Sequence, residues 1–138
     1  MTALVYLAAF VPDTGEQVGE LITRFPGSTV NESLKSVPLP GQQVDLYIDP
    51  IVFHARFAGD VAAEDAAVFA VTQRPAAADA FGEPAEGPQA WHTIPSYHLI
   101  SGADLIIPPA LQEFMAERAK STVWHFSDTI RRLDPIAT

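Results

Sequence analysis

The chain opens on Thr2–Phe10, TALVYLAAF, an almost unbroken apolar run with no polar side. A strand apolar on both sides belongs inside a parallel sheet, with helices above and below it and a neighbour on each edge. No upstream residue supplies that neighbour, so the run predicts the later half of an α/β fold. After a turn at residues 11–15, Val18, Leu21, Ile22 and Phe25 recur at helical spacing, and Pro26-Gly27 stops the helix. Residues 27–50, interrupted by Pro38, Pro40, Gly41 and Pro50, read as an irregular, mostly looped insertion with one short strand at Val44–Ile48. Helical patterning returns at Ile51–Phe57. Asp60 is placed to cap a further helix through Gln73, and Pro75 to open another, with the alanines of residues 76–80 as good helix formers.

Residues 82–88, GEPAEGP, form the clearest break in the chain. Beyond them Ile94–Ala103 reads as a second buried strand, and residues 104–107 as a loop. Pro108-Pro109 then opens a helix at the position where proline loses no hydrogen bond. Its buried stripe is Leu111, Phe114, Met115 and Ala119, and it ends near Lys120; Thr122–Phe126 is a third strand, and Asp128–Leu133 begins a last helix. Right-handed crossovers make the three strands parallel neighbours. The predicted class is α/β: one domain over residues 1–138, with about three parallel strands and helices. Residues 14–90 form an insertion between core strands 2–10 and 94–103.

Charge narrows the partners. Eight basic against 17 acidic residues give a net charge of -9, and the longest basic cluster is Arg131-Arg132. Phosphate contacts need a concentrated positive face, so nucleic acid is a poor partner, and anionic membrane surfaces are disfavoured for the same reason. No segment approaches the roughly 20 apolar residues of a membrane span. With no cysteine, disulfides, thiolate catalysis and cysteine metal sites are excluded, and a reducing cytoplasm fits. His54 with Asp45 and Asp49 is too sparse a set to call for a metal, and no cofactor is expected.

Several blocks are long enough to carry a family resemblance: ALVYLAAFVPDTGE, VDLYIDPIVFHARFAGDV, TQRP at residues 72–75, and IPSYHLISGADLIIPPALQEFMAERA. Over residues 2–126 the chain resembles the C-terminal half of bacterial α/β-hydrolases, which are similar to plant methyl-ester hydrolases and hydroxynitrile lyases. The resemblance implies that the opening strand is the sixth of eight, the insertion a cap over the active site, and the last two strands the seventh and eighth. It implies a catalytic serine on a G-x-S-x-G elbow, an acid after strand seven and a histidine after strand eight. Asp104, in SGADLIIPP, stands at the acid's position; read without the resemblance, it is a loop aspartate capping the turn before Pro108. No G-x-S-x-G occurs in the 138 residues. The histidine position aligns with Asp128, or in an ungapped register with Ile130, and neither is a base. His125, inside TVWHF, is the remaining candidate base; its other reading is a structural histidine at the sheet's end, and His98 reads as structural too.

Tyr47, Phe53, Phe57 and Trp91, with Phe69 and Phe81, would line the cap's inner surface against a ligand or form the cap's own small core. Two functions follow. One is a binding or assembly module, non-catalytic by itself, for a small apolar ester or acid. The other is the C-terminal subunit of a composite serine esterase completed by a separate N-terminal half. An unpaired edge on the opening strand also predicts a homodimer through Ala3–Ala9.

Overall fold

The computed structural model describes residues 1–127. The last helix expected from Asp128, the Asp128 and Ile130 alignment positions and Arg131-Arg132 lie outside the described residues. Strand β1 (Leu4–Leu7) leads through short helices α1 (Val18–Leu21) and α2 (Val30–Ser33) to strands β2 (Leu34–Pro38) and β3 (Val44–Ile48). Helices α3 (Pro50–Phe57) and α4 (Ala63–Thr72) follow, then the short strand β4 (Ala76–Ala77). The chain returns through β5 (Ser96–Ser101), α5 (Pro109–Arg118) and β6 (Thr122–Phe126).

The first and last strands form one parallel sheet in the order β1-β5-β6, with Val5 opposite Tyr97 and Tyr97 opposite Thr122. This is the predicted α/β core. Between its strands lies a second, antiparallel sheet in the order β2-β3-β4. Helices α3 and α4 pack on each other through Phe53, Ala58, Ala66 and Ala70, a small core separate from the main one. The main core joins Leu111 and Met115 of α5 to Val11, Leu21 and Val30, with Leu4 and Tyr6 of β1 packed against it.

The opening strand departs from its expectation. Leu4 and Tyr6 face the core, but Val5 is 65% and Leu7 45% exposed, because the described residues lay a helix against one face of the sheet only. The expected helix at residues 18–25 is four residues long; beyond it the amides of Thr23 and Arg24 bond three residues back, to Glu20 and Leu21, in tighter turns. Residues 27–50 are more regular than their prolines suggest, because β2 gains its strand from pairing with β3 along its whole length. Asp60 caps no helix: Ala62 is the N-cap of α4, and both Asp60 carboxylate oxygens are buried without a hydrogen-bond partner among the described residues. The alanines after Pro75 form β4 and a 3-10 turn (Ala78–Phe81) rather than a helix, since Leu46 and Asp45 of β3 pair with Ala76 and Ala77.

Candidate functional site

The loop between β5 and α5 is built around Asp104. One carboxylate oxygen accepts from the amides of Ile106 (2.8 Å) and Ile107 (2.9 Å), and the other from the Gln112 side-chain amide at 3.1 Å. Gln112, fully buried on α5, completes the clamp by accepting from the Ser101 amide (3.1 Å) and donating to the Ile107 carbonyl (2.8 Å). Asp104 therefore caps its own turn, the reading it has without the resemblance. The loop also anchors the inserted segment: the Thr29 amide donates to the Leu105 carbonyl at 2.7 Å and the Ser28 hydroxyl to the Ile106 carbonyl at 2.8 Å.

These bonds hold the second sheet over the carboxyl ends of β1 and β5, and the space between is a cavity of about 580 Å³. Phe10, beyond β1, and Ile106 and Ile107, beyond β5, form its floor; Leu34, Leu46, Ile48, Phe57 and Phe81 come from the insertion. Phe10 is delivered by a tight exit from the sheet, since Ala8 takes a left-handed φ of 39° while its amide still donates to Leu99. A smaller crevice of about 270 Å³ lies nearby, lined by Phe53, Phe57, Phe69, Thr72 and Gln73.

The aromatics expected to line the cap divide accordingly. Phe57 borders both spaces and Phe81 the larger, while Phe53 is buried against Phe57 with ring centroids 4.9 Å apart and borders the smaller. Tyr47 lies outside both linings, because Leu46 and Ile48 on either side of it turn to the cavity and the strand alternates. Trp91 belongs to the main core, where its indole donates to the Pro12 carbonyl at 3.1 Å. Missed by sequence reasoning were Gln112, whose signal was a polar residue beside Leu111 within an apolar helix face, and Asn31 and Arg74, two of the polar residues that line the cavity.

The histidines are elsewhere. His125 is exposed on β6, its ring 3.3 Å from the Glu113 carboxylate. His98 is buried on β5, its ring tilted against that of Tyr6 and 3.0 Å from the Ser121 hydroxyl, and burial holds its pKa below the ordinary imidazole value. Neither lines the cavity. His54 contacts the Val61 carbonyl at 2.9 Å, and among the described residues no cluster of His, Asp and Glu could hold a metal ion. Among the same residues no helix is long and apolar enough to cross a membrane.

No family model matches the chain, and no curated protein matches its sequence. Solved structures do match it. A methylesterase from Arabidopsis is similar with a TM-score of 0.68 at 16% identity, over 93% of this chain and 50% of that one. Polyneuridine aldehyde esterase gives 0.72 at 13%, over 93% and 54%, and a pyrethroid hydrolase 0.58 at 21%, over 94% and 53%. All are α/β-hydrolases. At these identities the likeness speaks to architecture, and it agrees with the parallel three-stranded sheet and its helices. The chain has the fold of the α/β-hydrolases, and it spans about half the length of the solved structures it matches.

Proposed function

We propose that this chain is a binding or assembly module of α/β-hydrolase fold, which holds a small, fairly apolar ester or acid beneath its cap and does not turn it over alone. The observation that carries this reading is the apolar cavity at the carboxyl ends of β1 and β5, where open α/β sheets present their ligands. The absence of G-x-S-x-G from the 138 residues supports the non-catalytic part, as do histidines placed away from the cavity. The cysteine-free composition favours a cytoplasmic location. The test is hydrolysis of p-nitrophenyl butyrate by the purified chain. A rate no higher than buffer is expected; clear hydrolysis abolished by Asp104→Ala would make the chain an enzyme.

A second reading is favoured by the span of about half of each matched structure together with the edge of β1 that has no neighbour among the described residues. In it the chain is the C-terminal subunit of a composite serine esterase. A separate half brings the nucleophile, and Asp104 serves as the acid. Co-expression with a half-domain carrying G-x-S-x-G tests it: a stable, ester-hydrolysing complex supports this reading, and failure to co-purify removes it.

A further inference from the structure

The cavity lining contains four polar side chains, Thr23, Asn31, Gln73 and Arg74, and no carboxylate, in a chain with 17 acidic residues. Two of the four are committed internally. The Thr23 hydroxyl donates to the Glu20 carbonyl at 2.9 Å. The Gln73 amide accepts from the Ile48 amide at 2.9 Å and donates to the Ile48 and Ala70 carbonyls, both at 2.8 Å, which ties β3 to α4. The side chains of Asn31 and Arg74 make no hydrogen bond or ion pair with a described residue. Arg74 differs in this from Arg24, Arg56 and Arg118, which lie 3.6, 3.7 and 2.6 Å from a glutamate oxygen.

An uncommitted guanidinium and an uncommitted amide on the wall of an apolar space fit a ligand with one anionic head and an apolar body. We infer that the cavity selects a carboxylate bearing an apolar tail over the neutral ester of the same tail, with Arg74 pairing with the carboxylate and Asn31 offering a further donor. Arginine's planar fork matches the two oxygens of a carboxylate. One cation suits one negative charge, and the net charge of -9 opposes a more highly charged ligand. The inference rests on the binding function proposed above and decides which of ester and acid is the resident ligand: the acid.

The experiment is titration calorimetry of the full chain at low salt with octanoate and with methyl octanoate. Octanoate is expected to bind at least about tenfold more tightly, equivalent to about 1.4 kcal/mol, with the margin shrinking as salt is added. Arg74→Gln should bring octanoate down to about the level of the ester, while Arg74→Lys keeps part of the preference. Lys35→Gln, on β2 outside the lining and with the same change in charge, should leave the preference intact. Arg74 is exposed and internally unbonded, so an unchanged thermal unfolding curve will certify the variant. Equal affinity for the two ligands, or a preference that survives Arg74→Gln, overturns this inference alone. Binding of neither overturns the binding function and this inference with it.

Discussion

Gln112 has no solvent exposure, and its amide holds the Ser101 amide, the Ile107 carbonyl and the Asp104 carboxylate at 3.1, 2.8 and 3.1 Å. Leucine fills similar volume on the helix but returns none of these bonds. An unmet buried polar group costs about 1–3 kcal/mol, and the Ser101 amide and Ile107 carbonyl each lose a Gln112 bond in the same step. Gln112→Leu is therefore expected to lower unfolding stability by about 2–4 kcal/mol in urea denaturation. A loss below about 0.5 kcal/mol, the range of an ordinary surface change, would mean the Asp104 loop is held some other way. Asp104 was legible in the sequence because SGADLIIPP places it between a strand and a Pro-Pro helix start. Gln112 was not, since a pattern of apolar positions does not record a polar residue whose partners come from another element. Asn31 and Arg74 were illegible for the opposite reason: a surface polar residue looks the same in sequence whether it faces solvent or a cavity.

At the level of elements, the segment after β1 is clasped to α5 by one ion pair. Arg118 reaches both carboxylate oxygens of Glu16, at 2.6 and 2.8 Å, and the Val11 carbonyl at 2.8 Å, with its guanidinium 5.0 Å from the Phe114 ring centre. The Arg118 hydrogen bonds, helped by the Asp13 amide, hold the Glu16 carboxyl below its ordinary value of 4.5. Because the unfolded chain takes up that proton first, the clasp contributes fully above about pH 4.5 and is lost as pH falls through the lower folded value. Arg118→Met should cost about 2 kcal/mol at pH 7, and the gap from wild type should narrow steadily from pH 5 to pH 3 in urea titrations. A gap independent of pH would mean that Arg118 acts by packing alone. The elements this clasp joins were readable because each carries its own pattern: an apolar run for β1, Pro-Pro and an apolar face for α5. β2 was not, because LKSVP has little alternation and becomes a strand through its partner Val44–Ile48. Likewise the alanines after Pro75 have helix propensity, and pairing with β3 overrides it.

For the whole molecule, the open question is what lies beside and above the parallel sheet. Among the described residues β1 has a neighbour on one edge, β5. The amides of Leu4 and Ala8 donate to β5, at 2.9 Å to Pro95 and 3.0 Å to Leu99, so by alternation those of Val5 and Leu7 point to the open edge. The proposed homodimer pairs Ala3–Ala9 with its own copy across a two-fold axis, doubling three strands to about six. Val5→Pro is a clean probe, since proline is tolerated on an edge strand where the lost amide serves no bond among the described residues. If the proposed pairing holds, the wild-type chain has the mass of a dimer in solution and the variant that of a monomer, with a native circular dichroism spectrum; a mass unchanged by the substitution in the folded variant places any interface elsewhere. The exposed face separates the homodimer from a complementing half. Leu7, Leu99 and Trp124 stand in one row across the sheet, with Trp124 51% exposed. Edge pairing with a second copy leaves that row open, whereas a partner supplying both a strand and a covering helix buries it, as parallel sheets require. In a Trp91→Phe background the emission of Trp124 therefore reports the outcome: quenching by acrylamide that persists in the assembled state identifies the homodimer, and protection identifies the complementing half.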